Sequence, residues 1–375
     1  MASSARPRNH HRAMALRAVV LLTLLALVAA ACGGGSESQS QQSSGPVKVK
    51  YLLPFSRSIA FWPVHLAEEL GYFRDEGLDI NSEATDGSSF VIQQVAAGNA
   101  EFGIAVAGPV LLGYERNQNF TSVYDFLTGN GFNLWVPSDS PVQRIEDIQK
   151  GANIAIKDLE GGEIPGLNVQ LQRAGLQPDV DVHYQQFGDN ASLAADMLAK
   201  NKAAAMEISW NSLVGVQLAL GKMGKQLRCI TCAATDQEAT ESVVVSKDFL
   251  KDHRNLVEGM GRALAKATLF GQTNPKAALA IMKRVNPEEQ TDAEYARTYF
   301  DAALQIMKPR APQSQFGWQD PATWQRSMDL LLAPGIPSGL SDKVDIGALV
   351  SNDLVGAYNN FDHDAVTKQA RDFKA

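Results

Sequence analysis

Residues 47–84 read VKVKYLLPFSRSIAFWPVHLAEELGYFRDEGLDINSEA, and this stretch decides the fold. The alternation over 47–53 predicts a strand that ends at Pro54. A helix is expected from Pro63, because the missing N–H of proline costs nothing in a first turn, and Gly71 ends it. Residues 78–84 predict a second strand. The order strand, helix, strand favours parallel pairing through a right-handed crossover.

The same construction continues to residue 126 and starts again near residue 145. In the first half, a loop at 86–89 leads to a helix over 90–97, a strand over 102–106, a helix from residue 108 and a strand over 121–126. In the second half, the strands are predicted over 153–156, 182–184 and 203–208, and the helices over 165–174, 191–199 and 213–220. A further strand is expected over 242–246, and a mainly helical region follows it.

The composition is that of an ordinary globular protein. The chain has 375 residues, of which 45% are hydrophobic and 20% charged, so it can form about two packed domains. This composition excludes collagen, wholesale disorder and a disulfide-dense miniprotein. The net charge is −7, and it becomes −11 without the first 31 residues, which carry four arginines and no acid. An acidic body argues against nucleic acid or an anionic membrane surface as the main partner.

Residues 1–31 predict a signal peptide. A basic segment over 6–17 precedes a 14-residue apolar run over 18–31, which is too short to span a bilayer as a helix. The run ends in Ala29-Ala30-Ala31-Cys32 and resembles a lipoprotein signal, although the usual leucine three residues before the cysteine is Ala29 here. We therefore expect a lipid on Cys32, a flexible tether over 32–45, and a protein anchored to the outer face of the cell membrane. The alternative is simple cleavage that leaves a free secreted protein.

Two further cysteines stand as Cys229-Ile-Thr-Cys232. Outside the cytoplasm, such a pair is most simply a structural disulfide. A thioredoxin-like redox pair is the alternative, but it needs its first cysteine at a helix N-terminus, and residues 227–232 predict a short strand or loop. A zinc site needs two more ligands and none stands nearby in the sequence, so no metal site is predicted.

Specific sequence segments indicate a family. Residues 71–80, GYFRDEGLDI, resemble a signature of extracytoplasmic solute-binding proteins of ABC importers, in the superfamily that binds sulfonates, nitrate and pyrimidine precursors of thiamine. The other matching segments follow in the family's order: 94–103 (QVAAGNAEFG), 142–156, 171–176 (LQRAGL), 197–206 and 242–250 (SVVVSKDFL). The resemblance covers about residues 46–275.

The resemblance implies an α/β fold of the type II periplasmic-binding-protein class. Two lobes are expected, each with a parallel-rich sheet and helices on both faces, joined by two crossing hinge strands near 130–135 and 235–245. Lobe one then comprises 46–136 and 235–375, and lobe two comprises 137–234. The family also implies a monomer that needs no cofactor, binds a small solute in the cleft and delivers it to the transmembrane subunits of an ABC permease.

The predicted site lies on loops beyond the carboxyl ends of the strands, where open α/β sheets bind ligands. Residues on or beside these loops are Phe61, Trp62, Ser88, Ser89, Glu160, Glu163, Asp189, Glu207, Trp210 and Asn211. Trp62 and Trp210 fall on opposite lobes, and such a pair can sandwich a flat ligand. The alternative for either indole is plain packing against its own helix.

The charges near these loops discriminate between ligands. The cations in and beside them are only Arg57 and Lys157, whereas Glu160 and Glu163 oppose an anion. We therefore expect an amine-bearing aromatic N-heterocycle, such as a pyrimidine precursor of thiamine. A sulfonate or nitrate stays open as the alternative, because hydroxyls and a helix N-terminus can also hold an anion.

An anchored enzyme on the same scaffold is the alternative function. The related eukaryotic pyrimidine-precursor synthase relies on a CCCFC-type motif and a histidine, whereas residues 160–164 here read EGGEI. The chain has neither a Gly-x-Ser-x-Gly elbow nor a His-Glu-x-x-His motif. No catalytic residue is predicted. A sensor that signals to a membrane kinase is a third interpretation, and a neighbouring permease gene would argue against it.

Overall fold

The computed structural model describes residues 45–128, 131–159, 164–232, 238–309, 313–334 and 338–374. The predicted signal peptide, Cys32 with the tether to residue 44, and the predicted site residues Glu160 and Glu163 lie outside these ranges. Among the helices within them, none is both long and apolar enough to cross a membrane.

The strands form two five-stranded sheets within the described ranges. These strands are β1 (Val47–Leu53), β2 (Leu78–Ala84), β3 (Phe102–Val106), β4 (Phe120–Leu127), β5 (Phe132–Pro137), β6 (Ala152–Ile156), β7 (Val182–Gln186), β8 (Ala205–Ser209), β9 (Leu227–Cys229) and β10 (Glu241–Ser246). The first sheet has the order β2-β1-β3-β10-β4, and the second has the order β7-β6-β8-β5-β9. The chain passes from the first sheet to the second between residues 127 and 132, and it returns between residues 229 and 241.

Both sheets are mixed, with three parallel strands on one side of each. β1 pairs in parallel with β2 and β3, and β6 pairs in parallel with β7 and β8. The strands next to the two passages, β5 and β10, run antiparallel to their neighbours. This confirms the predicted fold class. The division into two lobes at residues 136 and 235 stays a prediction.

The helices alternate with the strands as the sequence predicts. Among the residues described, they are α1 (Trp62–Glu69), α2 (Tyr72–Asp75), α3 (Ser88–Ala96), α4 (Ala107–Arg116), α5 (Ile164–Arg173), α6 (Ala191–Ala199), α7 (Trp210–Lys222), α8 (Lys247–Asp252), α9 (Arg254–Thr273), α10 (Pro275–Val285), α11 (Ala293–Ile306), α12 (Pro321–Leu331), α13 (Ile346–Leu349), α14 (Val355–Tyr358) and α15 (His363–Asp372). Short 3₁₀ turns occupy Ile59–Phe61, Ile145–Asp147 and Glu288–Gln290.

Each sheet is buried on both faces, because successive strand residues point to opposite sides. In β1, Tyr51 and Leu53 pack into the core formed with α1, α9 and α11, whereas Leu52 packs into the core formed with α3, α4 and α12. In the second sheet, Ile154 packs towards α5 and Ala155 towards α6 and α7.

The C-terminal helices reach both sheets. α11 contacts α7, which follows the second sheet's strand β8, and α12 contacts both α4 and α5. The backbone also links them to the two passages between the sheets. The N–H of Thr128 donates to the carbonyl of Ile306 at 2.9 Å, and the N–H of Ala239 donates to the carbonyl of Thr323 at 3.3 Å. Each passage is therefore flanked by one C-terminal helix.

Candidate functional site

A cavity of about 750 Å³ lies between the two sheets, beyond the carboxyl ends of their parallel strands. Residues 86–89 and 106–109 border it from the first sheet, and Lys157, Glu207 and residues 209–211 border it from the second. The segments 131–132 and 238–241, which border the two passages, also line the cavity. Its volume falls within the usual range for small-molecule sites, roughly 300–1,000 Å³.

Three helices begin at the wall of this cavity. α3 starts after Gly87, whose φ of +112° places it in a region that residues with a Cβ rarely adopt. The Ser88 hydroxyl accepts a hydrogen bond from the N–H of Val106 at 3.1 Å, so it ties the start of α3 to the end of β3. α4 begins at Ala107, and α7 begins at Trp210. The backbone N–H groups of such helix starts favour electron-rich ligand atoms.

Carboxylates dominate the charge of the cavity wall. Asp86, Glu207, Glu238 and Glu241 line it, and Lys157 is the one cation among the described lining residues. The side chain of Glu207 is buried, whereas Asp86 is exposed. The wall is therefore suited to a ligand with positive charge or several N–H donors.

Two of these carboxyl groups have perturbed pKa values. Burial raises the pKa of Glu241 to about 7. Burial also raises the pKa of Glu238 to about 7, and the nearby guanidinium groups of Arg173 and Arg326 oppose this rise. Both side chains consequently change charge near neutral pH.

Five of the predicted site residues line the cavity. Ser88 and Ser89 come from the first sheet, and Glu207, Trp210 and Asn211 come from the second. The structure thus brings together residues from loops that are more than 100 positions apart in the sequence. Their contact with a ligand stays a prediction.

Phe61 and Trp62 do not lie at the cavity, and the expected Trp62–Trp210 pair is wrong. Both side chains are fully buried in the core of the first sheet. The Trp62 indole lies 5.4 Å from the ring of Phe300. It also covers Gly271, where an added Cβ would be 2.2 Å from the indole. The 3₁₀ turn and α1 begin before Pro63, and they place Trp62 against α9 and α11 of the C-terminal region.

Asp189 does not line the cavity either. Its carboxylate is exposed and pairs at 2.7 Å with the ammonium group of Lys157, which does line the wall. Asp189 is therefore linked to the cavity wall through its ion pair with Lys157. The two remaining predicted acids, Glu160 and Glu163, lie outside the described residues.

Several cavity residues were not predicted from the sequence. Glu238 and Glu241 lie within the expected return crossing at 235–245, and that position was the sequence signal for acids at the border of the cleft. Ser327, Leu330 and Leu331 of α12 also line the cavity. No motif pointed to them, since the resemblance to the family ends near residue 275.

The Cys-Ile-Thr-Cys segment closes on itself beside β5. Cys229 and Cys232 form a disulfide in the structure. Between them, the N–H of Ile230 donates to the carbonyl of Leu134 at 2.9 Å, and the Thr231 hydroxyl accepts from the N–H of Leu134 at 2.8 Å. Cys229 ends β9, and the N–H of Cys232 lies 3.0 Å from its Sγ. The choice between a structural disulfide and a redox pair stays a prediction.

Histidine and cysteine do not occur in the part of the cavity lining that the structure describes. His65 is buried on α1 next to Glu68 and Arg57, and burial lowers its pKa. The described residues also contain no group of three His, Cys, Asp or Glu side chains placed to hold a metal ion.

Comparisons with known structures agree with the two-sheet architecture. The periplasmic aliphatic sulphonate binding protein SsuA of Escherichia coli superposes with a TM-score of 0.62 at 13% identity, over 82% of this chain and 92% of that one. The alkanesulfonate-binding protein SsuA of Xanthomonas axonopodis pv. citri, bound to MOPS, gives a TM-score of 0.57 at 16% identity, over 83% and 100% of the two chains. At such identities the likeness concerns the fold.

Sequence comparison gives relatives that are named as enzymes. A 4-amino-5-hydroxymethyl-2-methylpyrimidine phosphate synthase of Saccharomyces cerevisiae is 23% identical over 275 residues, which are 68% of this chain and 78% of the yeast protein. The synthase of Candida albicans is 23% identical over 255 residues, which are 65% and 73% of the two chains. The model of the NMT1/THI5-like family matches residues 58–278, more than half of the chain. This match confirms the resemblance inferred from GYFRDEGLDI, and the chain belongs to the NMT1/THI5-like family.

Proposed function

We propose that this protein is an extracytoplasmic solute receptor that binds a small amine-bearing N-heterocycle, such as a pyrimidine precursor of thiamine. The observation that carries the proposal is the cavity between the two sheets. Four carboxylates and a single cation line it among the described residues, and Trp210 supplies an aromatic face. Carboxylates accept hydrogen bonds from amino groups, and an indole packs against a flat ring.

The mode of action that fits this fold is closure of two lobes around the solute. The segments 127–132 and 229–241 join the sheets, and residues in or next to both segments line the cavity. A ligand that touches both halves favours the closed state by the difference between its affinities for the closed and open states. We propose that lobes 46–136 with 235–375, and 137–234, close in this way, and that the monomeric closed protein delivers the solute to an ABC permease.

A sulfonate or nitrate is the second candidate ligand. The starts of α3, α4 and α7 at the wall favour it, as do the names of the sulfonate-binding structural neighbours. Asp86, Glu207 and the two acids of the return passage oppose it, because each anionic carboxylate repels a second anion in the same cavity. The balance of charges therefore favours the amine-bearing ligand.

An enzyme on this scaffold is the other candidate, since the curated relatives are named as synthases. Residues 160–164 read EGGEI and contain neither the cysteines nor the histidine on which that synthase activity depends. We propose binding without turnover. Release of a bound pyrimidine in unchanged form, checked by mass spectrometry, distinguishes the receptor from an enzyme.

The proposed location follows from the N-terminal sequence. Residues 1–31 are proposed to be a signal peptide that is removed, and Cys32 to carry the lipid that holds the protein on the outer face of the cell membrane. The aromatic-free tether that follows, GGGSESQSQQSS over 33–44, separates the binding domain from the bilayer.

A thermal-shift screen tests the ligand class, because a ligand that binds the native state raises its stability. The panel contains 4-amino-5-hydroxymethyl-2-methylpyrimidine, thiamine, simple primary amines, nitrate and an alkylsulfonate. We expect the aminopyrimidine to raise the melting temperature of the wild type, and the rise to shrink in Glu207→Gln. The matched control is Glu83→Gln, an exposed acid on β2 outside the cavity. A strong shift with nitrate or the alkylsulfonate, and none with the aminopyrimidine, would contradict the assignment.

A further inference from the structure

The helix that carries Trp210 and Asn211 has two apolar faces. Leu213, Val216 and Leu220 of α7 pack into the core of the second sheet. On the other side, Val214 is 1% exposed and belongs to the core of the first sheet, against which Trp210 and Leu218 also pack. These last three residues are spaced by four, so they form one stripe along the helix.

At the cavity end of this stripe, Trp210 packs against Tyr299 of α11. The ring centroid of Tyr299 lies 5.4 Å from that of Trp210, and the Tyr299 ring is almost completely buried. Ser58, which follows β1, and Asn211, at the cavity wall, lie near the Tyr299 hydroxyl. One side chain of the C-terminal region therefore lies next to a loop of the first sheet and two cavity residues that follow the second sheet.

The surroundings hold Tyr299 firmly. Its ring packs 5.8 Å from that of Tyr295, one turn earlier on α11, and Tyr295 in turn contacts α7 near Gly215. The Glu289 carboxylate accepts the N–H of Ile59 at 2.7 Å and fixes the loop that bears Ser58. The first passage between the sheets is close by, because the N–H of Trp210 donates to the carbonyl of Gly131 at 3.0 Å.

We propose that Tyr299 is a positioning residue of the binding site, which holds the first turn of α7, with Trp210 and Asn211, in the cavity wall. The inference rests on the proposed function for its link to ligand binding, but the placement of α7 does not depend on any ligand. Tyr299 is 3% exposed where its ring packs against Trp210.

Hydrogen exchange of the ligand-free protein tests this placement. Tyr299→Leu removes the ring and the hydroxyl, whereas Phe300→Leu truncates the next buried residue of α11, whose ring packs on Trp62. We expect the amides of residues 210–217 to exchange at least about tenfold faster in Tyr299→Leu than in the wild type and in Phe300→Leu. Equal exchange in the two variants would overturn the proposal. If Tyr299→Leu does not fold, Val214→Ala truncates the apolar stripe of α7 that packs into the same core, with the same expected outcome.

Calorimetry with 4-amino-5-hydroxymethyl-2-methylpyrimidine supplies the second readout. We expect Tyr299→Leu to weaken binding by about two- to 30-fold, the range for residues that act on a site indirectly, and Phe300→Leu to leave it unchanged. Equal weakening in both variants would mean that loss of stability, not of position, is the cause, and this would also overturn the proposal. If the wild type itself does not bind the pyrimidine, the proposed ligand fails, and the exchange result alone decides the role of Tyr299.

Discussion

Glu238 and Glu241 make the stability of the ligand-free protein depend on pH. Burial raises the pKa of both carboxyl groups to about 7, above the ordinary value of 4.5. Between these two pH values the folded protein keeps protons that the unfolded chain has released. The free energy of unfolding therefore falls as the pH rises through this window, and it stays low above pH 7.

The size of this effect follows from the pKa difference. A rise from 4.5 to about 7 corresponds to an upper bound of roughly 3 kcal/mol for each carboxylate. Both side chains border the cavity and are partly accessible, and solvent screening reduces this figure. We expect the double variant Glu238→Gln/Glu241→Gln to exceed the wild type in stability by about 1–3 kcal/mol at pH 8, and to match it more closely at pH 5.

Urea unfolding followed by circular dichroism from pH 5 to pH 8 measures this difference, because the midpoint shifts at constant slope when only stability changes. Glu83→Gln is the control, since it removes one exposed carboxylate of the same sheet. A difference between the double variant and the wild type that is the same at pH 5 and pH 8 would refute the reasoning. The two carboxyl groups would then titrate as they do in water.

Protonation of the Glu238 and Glu241 carboxylates also opposes the binding of a cationic ligand. Below pH 7 an amine must displace the protons of Glu238 and Glu241 before it can pair with them. We expect the affinity for a protonated primary amine to fall by up to about tenfold per carboxylate between pH 8 and pH 6. A pH-independent affinity, measured by calorimetry in the same range, would contradict the contact between ligand and carboxylates.

Three further predictions concern aromatic and cysteine residues. Trp210→Ala should weaken ligand binding by roughly 1–3 kcal/mol, the magnitude for loss of ring stacking, as measured by calorimetry. Trp62→Ala should instead lower the unfolding free energy by about 3–5 kcal/mol, as measured by urea unfolding, because it leaves a cavity in the core. The reverse pattern would show that Trp62 is the ligand contact. Thiol labelling of the non-reduced protein should find neither Cys229 nor Cys232, and reduction should cost less than the roughly 3 kcal/mol expected for a 15-residue loop; rapid labelling of both would count against a structural disulfide. Cys32→Ser should release the protein from membranes on fractionation without changing ligand binding, and unchanged retention would remove the lipid anchor.

The order of strands and helices was predictable because it rests on local physics. Alternation in residues 47–53 and 242–246 predicts strands whatever their partners are, and glycines such as Gly71 end helices through their own backbone freedom. The segment GYFRDEGLDI then indicated the family. From these features the two-sheet α/β fold, and five of the cavity residues, followed without any coordinates.

The sequence could not decide which way each loop residue faces. Trp62 and Trp210 both stand at the start of a helix, yet one fills the core against Phe300 and the other lines the cavity. That choice depends on α9 and α11, which lie more than 190 residues from Trp62 along the chain. The acids of the return passage and the leucines of α12 also line the cavity because segments far apart in the sequence pack together. The order of strands and helices along the chain is thus set by local sequence, whereas the wall of the cavity is set by packing between segments that only the tertiary structure brings together.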